Sequence, residues 1–342
     1  MTAYFFPAAA ALLLSLLFTY LVLALALKTK VIDRPDGKRK FHEKPVPLLG
    51  GLAIFAAFFL ILFLFHDRLI LGILTYRQWW WFFAGAACLM VGGFLDDKFN
   101  LKPSRQIVWP LAAIACVLAG QIGIGKITNP FGGFLYFSAL TSAIFTVIWL
   151  LAMMYTTKLL DGLDGLVTGI SGIGGLIIFL FTVSSKYYQP DIAFAAIVFA
   201  AACLGFLFFN WYPAKIFLGE GGSLLLGYIL GVLAIISGGK IAIALLVLGL
   251  PLLDFIWTII RRLYAGKNPF RTADRAHLHY RLLDLGIGQR KTVLIFYGFS
   301  LLFGLGALFL QSLGKLIAVA VLFFAMIILI LGLTIFSGDQ ET

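Results

Sequence analysis

The sequence predicts an all-α polytopic integral membrane protein with about eleven transmembrane helices, and two observations support this. The 342-residue chain is 62% hydrophobic and only 12% charged, whereas soluble domains are about half apolar and about a quarter charged. Its apolar residues also gather into stretches close to the roughly 20 residues that cross a bilayer as a helix. This composition excludes an ordinary cytosolic enzyme, a secreted disulfide scaffold and a disordered chain.

The apolar stretches define the predicted spans. The first is too long for a cleavable signal peptide, and no Lys or Arg precedes it. We expect residues 1–342 to form a single membrane domain, because no connection is long enough to hold a separate one. The predicted spans are 4–27, 49–65, 79–95, 106–120, 138–156, 165–183, 191–209, 223–237, 241–260, 292–310 and 315–336.

The distribution of basic residues predicts the orientation of these spans. Connections that follow odd-numbered spans carry 20 of the 26 Lys and Arg residues, and the other 6 lie in, or at the edge of, those that follow even-numbered spans. The positive-inside rule therefore places the N-terminus outside and the C-terminus in the cytoplasm. Because the basic residues flank apolar spans, we expect membrane lipids as partners and no nucleic acid. The predicted cytoplasmic loops are 28–48, 96–105, 157–164, 210–222 and 261–291.

Acidic residues cluster in these predicted cytoplasmic loops. Asp96 and Asp97 end the third span, Asp161 and Asp164 follow the fifth, and Glu220 follows the seventh. Clustering on one side predicts a functional site at the cytoplasmic membrane face. The alternative interpretation is that boundary charges only anchor the ends of helices.

The acidic motifs suggest particular chemistry. Asp96 and Asp97 lie side by side at a low-dielectric boundary, where one of them suits a general base or a ligand for a hard cation such as Mg²⁺. Asp161 and Asp164 share a helical face with Lys158, or else their neighbouring glycines kink the entry to the next span. Asp164 also suits an N-cap of that span. Glu220 opens the eighth span, where backbone N–H groups at a helix N-terminus bind phosphate.

The first cytoplasmic loop is basic and rich in proline. Its residues Arg39, Lys40 and His42 predict a lid over a polyanionic substrate, and the alternative is attraction to anionic lipid headgroups. Gly50 and Gly51 follow this loop. Because glycine has no side chain, the pair predicts a close approach of another backbone at the start of the second span.

The last cytoplasmic loop is rich in Arg and His. Leu278, Leu282 and Leu285 recur at helical spacing and predict an amphipathic interfacial helix, on which His277 and His279 would face different ways. Arg and His side chains there suit a clamp on phosphate oxygens.

The ninth span contains two residues that interrupt its apolar run, Pro251 and Asp254. The proline predicts a bend, because it removes a helix hydrogen bond. An acid within a membrane span is a candidate functional residue.

Together these motifs resemble the polyprenyl-phosphate N-acetylhexosamine-1-phosphate transferases, which form glycosyltransferase family 4. The HxH form of the histidine motif is similar to the undecaprenyl-phosphate N-acetylglucosamine-1-phosphate transferase branch, which is related to phospho-MurNAc-pentapeptide transferase. The motifs that carry the resemblance lie, in order, at 33–51, 93–97 (GFLDD), 160–166 (LDGLDGL), 217–223 (FLGEGGS), 251–254 (PLLD) and 274–283 (DRAHLHYRLL).

The resemblance implies a reaction. UDP-N-acetylhexosamine, with N-acetylglucosamine as the expected sugar, reacts with undecaprenyl phosphate and releases UMP, with Mg²⁺ or alternatively Mn²⁺ as cofactor. The enzyme would initiate cell-envelope polysaccharide synthesis at the bacterial inner (cytoplasmic) membrane. A homodimer is expected by family analogy alone. The competing function is a non-catalytic paralogue, or a carrier or flippase for lipid-linked saccharides. A carrier would place charged residues at mid-membrane depth or on both membrane faces.

The resemblance also implies a role for each candidate residue. Asp97, with Asp96 beside it, is the expected base or lipid-phosphate orienter. The remaining assignments are Glu220 and Asp161 for the metal, Phe217, Asp161 and Asp164 for the nucleotide, and Lys158, Arg271, Arg275, His277 and His279 for the phosphates.

The sequence departs from the family pattern at three positions. The family usually has Asn where Lys158 stands, Asp where Glu220 stands and His where Tyr280 stands, so the metal site is altered at Lys158 and Glu220. Three explanations are open: the metal shifts toward Glu220, Asp161 and Asp96; Lys158 replaces part of the metal's charge; or activity is lost. We expect an active enzyme with an unusual metal site.

Overall fold

A computed structural model describes residues 2–35, 44–70, 75–129, 131–184, 188–238, 241–264, 266, 277–310 and 312–338. The described chain is mainly helical, as predicted. Its helices are α1 (Thr2–Thr29), α2 (Gly51–Leu64), α3 (His66–Ile70), α4 (Tyr76–Phe99), α5 (Pro103–Gln106), α6 (Val108–Ala119), α7 (Ala139–Leu160), α8 (Leu166–Thr182), α9 (Pro190–Asn210), α10 (Gly219–Ile236), α11 (Ile241–Val247), α12 (Gly249–Tyr264), α13 (Leu278–Asp284), α14 (Gln289–Phe309) and α15 (Ser312–Gly338).

Two short antiparallel ribbons join some of these helices. Strands β1 (Ile32–Asp33) and β2 (Val46–Pro47) pair with Ile32 opposite Pro47, and they flank the first predicted cytoplasmic loop. Strands β3 (Lys126–Thr128) and β4 (Phe134–Tyr136) pair with Ile127 opposite Leu135.

Six described helices, α1, α4, α7, α9, α10 and α14, are long and apolar enough to cross a membrane, and α11 with α12 forms a seventh candidate. Four shorter apolar segments, at Gly51–Leu64, Pro103–Ala119, Leu166–Thr182 and Leu313–Ala325, match further predicted spans. The chain is therefore a multi-pass membrane protein by its helices, as predicted.

Helix starts follow local capping chemistry. At the start of α4, the Thr75 hydroxyl accepts from the Gln78 N–H, and the Thr75 N–H donates to Gln78 Oε1 at 2.9 Å. This is a capping box, which satisfies N–H groups that the first helical turn leaves without partners. The Ser138 hydroxyl caps α7 in a similar way by accepting from the Thr141 N–H at 3.3 Å.

Helix α10 lies at the centre of the fold, and almost all of its residues are buried. It packs against α2, α4, α7, α8, α9 and α11. The Tyr228 hydroxyl donates to the Phe82 carbonyl at 3.0 Å, and the Trp149 indole N–H donates to the Gly231 carbonyl at 3.0 Å. These buried bonds satisfy the polar ends of two large side chains, as burial requires.

The first turn of α10 contacts two other helices through glycines. A side-chain carbon added at Gly51 of α2 would overlap the backbone of Gly222, and one added at Gly93 of α4 would overlap that of Gly221. Small residues let membrane helices approach backbone to backbone. The diglycine prediction is confirmed, since Gly50 N–H and Gly51 N–H donate to the carbonyls of the chain just before α10.

The predicted ninth span is a broken helix rather than one continuous span. Helices α11 and α12 meet at Leu248 and differ in direction by 81°. Pro251 is the third residue of α12, where a missing N–H costs no helix hydrogen bond. The prediction of a bend in this span is confirmed, but its predicted position is wrong, because the chain turns at Leu248, before the proline.

We expect the substitution Gly93→Ala to lower the thermal unfolding temperature of the detergent-solubilised protein. The added methyl group would overpack the α4–α10 contact, at a cost of about 1–3 kcal/mol. The matched control is Gly298→Ala on the exposed side of α14, where the added carbon meets no atom within 4 Å. That variant should unfold at the wild-type temperature or above it, since alanine favours the helix. Equal effects of both variants would contradict close packing at Gly93.

Candidate active site

One cavity of about 900 Å³ brings the predicted cytoplasmic loops together. Every one of the five loops contributes to its wall, so residues far apart in the sequence face one space. The charged and aromatic residues of this wall include Asp33, Lys44, Asp97, Lys158, Asp161, Asp164, Lys215, Phe217, Glu220 and Tyr280.

Asp97 is held against the first turn of α10. Its Oδ1 atom accepts a hydrogen bond from the Glu220 N–H at 3.0 Å. Gly219 adopts a φ of +75°, and a side chain there would overlap the Asp97 carboxylate. The glycine therefore gives Asp97 room to reach the backbone of α10, and the carboxylate has a defined position in the cavity wall.

Asp96 lies outside the cavity wall. Its Oδ1 atom accepts from the Leu101 N–H at 2.8 Å, and both carboxylate oxygens lie 3.1 Å from the Gln106 Nε2 amide. Asp96 thus holds the turn that follows α4. Of the two adjacent acids, the structure brings Asp97 but not Asp96 to the cavity.

Lys158 and Glu220 form an ion pair in the cavity wall between Lys158 Nζ and Glu220 Oε1. Lys158 Nζ also donates to Gln106 Oε1 at 3.3 Å and lies 5.6 Å from the centre of the Tyr155 ring. Gln106 therefore connects Lys158 to Asp96. The two predicted site residues that depart from the family pattern are in direct contact.

Asp161 and Asp164 lie in a non-helical turn between α7 and α8. Gly165 in this turn has a φ of +78°, which agrees with the kinked alternative. Asp164 Oδ2 accepts from the Ala214 N–H at 2.9 Å and does not cap α8. Asp164 therefore ties the turn to the segment after α9.

Asp161 is accessible to solvent inside the cavity but enclosed by the surrounding protein. This enclosure raises its pKa from 3.8 to about 8, and the nearby carboxylates of Glu220, Asp164 and Asp97 add to the effect. The raised pKa favours the protonated form of the Asp161 carboxyl group, which can donate a hydrogen bond. Its protonated form is a weaker metal ligand than a carboxylate would be.

Asn210 is a site residue that the sequence analysis missed. Its Oδ1 atom accepts from the Gly165 N–H at 3.2 Å and the Thr168 hydroxyl at 2.8 Å, while Nδ2 donates to the Ile216 carbonyl at 3.0 Å. Asn210 lines the cavity. It connects the end of α9 to the start of α8 and to the segment that precedes α10. The sequence signal that could have identified Asn210 is its position, because it is a polar residue directly after the long apolar span 191–209.

Phe217 lines the cavity on a segment tied to the first loop. Its N–H donates to the Pro47 carbonyl at 2.9 Å, and its carbonyl accepts from the Gly50 N–H at 2.9 Å. The ribbon that flanks the first loop is thereby joined to the start of α10. Arg39, Lys40 and His42, the predicted lid, lie outside the described residues, as do Arg271 and Arg275.

The histidine motif lies behind the cavity wall. His277 Nδ1 lies 2.9 Å from Asp254 Oδ2, and Asp254 Oδ1 accepts from the Leu278 N–H at 3.1 Å. The intramembrane acid thus anchors the start of α13. His279 is buried at 1% exposure, and neither of its ring nitrogens has a hydrogen-bond partner among the described residues.

The expected opposite orientation of the two histidines is wrong. Their rings stack at a centroid distance of 5.7 Å and an interplanar angle of 6°. His277 is the N-cap of α13 and has an extended backbone, so the helical spacing that predicted different faces does not apply to it. Tyr280, where the family usually has His, contributes the cavity-lining side chain of this motif.

The residues around Glu220 do not fit the predicted Mg²⁺ or Mn²⁺ site. The Lys158 ammonium group already contacts the Glu220 carboxylate, and a divalent ion bound there would be repelled by it. Among the described residues, no three His, Cys, Asp or Glu side chains are grouped so as to bind a metal ion. Metal binding by Glu220 and Asp161 stays a prediction.

Comparison with known proteins places this site in a family. Residues 79–238 match the family model described as glycosyl transferase family 4. A probable undecaprenyl-phosphate N-acetylglucosaminyl 1-phosphate transferase of Bacillus subtilis is 33% identical over 88% of this chain and 83% of its own length. The chain belongs to glycosyl transferase family 4.

Two further relatives agree with this assignment. An undecaprenyl-phosphate alpha-N-acetylglucosaminyl 1-phosphate transferase of Thermotoga maritima is 32% identical over 86% of each chain. A decaprenyl-phosphate N-acetylglucosaminephosphotransferase of Mycobacterium tuberculosis is 29% identical over 76% of this chain and 71% of its own. The resemblance inferred from the motifs is thereby confirmed.

Burial of His279 predicts an acid-sensitive fold. Burial lowers the pKa of His279 from 6.5 to about 3, so below pH 6.5 the unfolded chain binds a proton that the folded chain excludes. The free energy of unfolding should fall by up to about 1.4 kcal/mol for each pH unit in this range. In a thermal unfolding series from about pH 7 to about pH 5, His279→Asn should lose this part of the acid dependence.

The matched control is His66→Asn, because the His66 side chain is exposed. This variant should keep the wild-type acid dependence. If His279→Asn also keeps it in full, another group causes the acid sensitivity and the pKa argument is wrong.

Proposed function

We propose that this protein transfers N-acetylglucosamine 1-phosphate from UDP-N-acetylglucosamine to undecaprenyl phosphate and releases UMP. One observation carries the proposal: Asp97, Lys158, Asp161, Asp164, Phe217 and Glu220, which were named from the sequence as candidate site residues, line one cavity. The names of the relatives supply the chemistry, since each acts on a polyprenyl phosphate and N-acetylglucosamine phosphate. A cavity of about 900 Å³ is in the range of small-molecule binding sites.

We place the reaction at the cytoplasmic face of the bacterial inner membrane. The five loops with most of the basic residues border the cavity, and loops that meet at one site lie on one side of the bilayer. This agreement supports eleven spans with the N-terminus outside. The lipid phosphate would then reach the cavity from the membrane while the nucleotide enters from the cytoplasm.

The proposed step exchanges one phosphoanhydride bond for another. An oxygen of the lipid phosphate forms a bond to the phosphorus that carries the sugar, and the bond from that phosphorus to the bridging oxygen breaks. UMP leaves with the electron pair of the broken bond. Because a lipid phosphate is largely a dianion at pH 7, attack needs mainly positioning and charge neutralisation rather than proton removal.

The lining residues can supply this positioning. Asp97 has a defined place beside the α10 N-terminus and can orient the lipid phosphate, or accept its proton when it is a monoanion. The protonated Asp161 can donate to a phosphate or nucleotide oxygen, and Phe217 offers an aromatic face to the uracil base. Asp164, held in place by the Ala214 N–H, lines the part of the cavity in which the nucleotide would bind.

We expect Asp97→Asn to lower kcat for lipid-dependent UMP release by about 10²–10⁴-fold, the usual contribution of a positioned acid–base group. The assay uses detergent-solubilised protein with UDP-N-acetylglucosamine and undecaprenyl phosphate. The matched control is Asp67→Asn in α3, whose side chain is 89% exposed and outside the cavity. It should keep the wild-type rate.

Two results would contradict the proposal. Well-folded wild-type protein that releases no UMP from the UDP-sugar would favour the non-catalytic paralogue or the carrier. Equal rates for Asp97→Asn and wild type would leave the transferase activity in place but remove Asp97 from its mechanism.

A further inference from the structure

We propose that the Lys158 ammonium group replaces the divalent metal ion in this enzyme, so that transfer proceeds without Mg²⁺ or Mn²⁺. The inference rests on the proposed transferase function and specifies its cation. In this arrangement Lys158, positioned by Glu220 and Gln106, contacts the diphosphate of the donor directly.

The position of Lys158 is defined from two sides. Nζ contacts Glu220 Oε1 and donates to Gln106 Oε1 at 3.3 Å. An ammonium group has three N–H donors, so one remains for a phosphate oxygen. The side chains of Lys158 and Glu220 are 23% and 18% exposed, and both line the cavity. The free donor therefore has access to a bound substrate.

The side-chain amide of Gln106 is oriented so that its oxygen can accept a hydrogen bond from Lys158. Its Nε2 lies 3.1 Å from both carboxylate oxygens of Asp96, which can only accept while ionised. Its Oε1 must then face the other way, and there it meets Lys158 Nζ. These four side chains form a chain of contacts. Asp96 accepts from the Gln106 amide N–H, and the Gln106 amide oxygen and Glu220 both accept from Lys158. This order leaves Lys158 as the cation at the centre of the network.

Each of two neighbouring carboxylates is already held by a backbone hydrogen bond. Asp97 Oδ1 accepts from the Glu220 N–H and Asp164 Oδ2 accepts from the Ala214 N–H. A hydrated Mg²⁺ ion demands near-octahedral oxygen geometry with one or two free carboxylates. At Glu220 that ion would have to displace Lys158 or lie beside its positive charge. In the described part of the chain, Glu220 thus already has an ammonium partner, and no three His, Cys, Asp or Glu side chains are grouped to bind a divalent ion.

The two departures from the family pattern are the two halves of this ion pair. The family usually has Asn and Asp where this chain has Lys158 and Glu220. A neutral oxygen ligand is replaced by a cation, and the acid that contacts it is longer by one methylene. Phosphoryl transfer needs positive charge near the phosphate oxygens. Lys158 supplies that charge as negative charge grows on the departing UMP.

The first test measures lipid-dependent UMP release by the purified full-length protein with excess Mg²⁺ and with excess EDTA. We expect the wild-type rate to differ less than about twofold between the two conditions. Lys158→Met removes the charge and keeps an unbranched side chain that is only one atom shorter. It should lower the rate at least about 100-fold, as loss of a charge-stabilising donor does elsewhere. Thermal unfolding confirms that the variant is folded.

The second test restores the family pattern with the double substitution Lys158→Asn and Glu220→Asp. This variant should bind Mn²⁺ and show the electron paramagnetic resonance signal of bound ion, whereas the wild type should not. Its activity should be abolished by EDTA and restored by Mg²⁺. Metal binding by the double variant alone supports the inference without relying on turnover.

The outcomes separate the inference from the proposed function. Wild-type activity that EDTA abolishes and Mg²⁺ restores would overturn the inference and leave the transferase function intact. Mn²⁺ binding by the wild type at the same affinity as by the double variant would also overturn it. A wild type inactive in both conditions would overturn the proposed function, and the inference with it.

Discussion

The close approach of the first turn of α10 to α2 and α4 is the contact on which the candidate active site depends. Glycines at both crossings let the backbones meet, and no side chain could be added there without overlap. Because of this approach, the Glu220 N–H reaches Asp97 and the segment at Phe217 bonds to the start of α2. The positions of the site residues are therefore set mainly by backbone packing and less by the choice of side-chain conformation. A precisely positioned site requires this kind of rigid support.

The candidate active site also depends on the partners of the charged side chains near the cavity. Glu220 pairs with Lys158, Asp164 accepts a backbone N–H, and behind the wall Asp254 holds His277. Transfer of a charge from water into protein is costly unless it is paired and hydrogen-bonded. Their partners thus let a chain with so few charged residues concentrate several in one place. They also orient the groups before a substrate arrives, so that little reorganisation is needed during the reaction.

The coarse features of this molecule could be predicted from the sequence, and the fine ones could not. The length of the apolar stretches predicts the helices. The side of the membrane to which the basic residues are assigned predicts which loops meet. Neither shows which of two adjacent acids faces inward: successive helical residues point about 100° apart, so Asp97 lines the cavity while Asp96 holds a turn. The break at Leu248 and the capping position of His277 depend on local backbone geometry that apolar periodicity does not contain. Asn210 was missed because its role is to join the end of α9 to the start of α8, which is distant in the sequence, and to Ile216.

The ion pair in the cavity shows why substitutions should be interpreted together rather than position by position. In the sequence, Lys158 and Glu220 look like two separate departures from a metal site, each of which weakens it. In the structure they are one unit, because the longer acid meets the new cation and Gln106 supports it from the other side. Either change alone would leave a charge in the cavity wall without its partner, which costs more than the pair contributes. Loss of a metal site would not by itself place a cation opposite an acid at these two positions. Their pairing is the feature expected of a changed cation rather than of a decayed site.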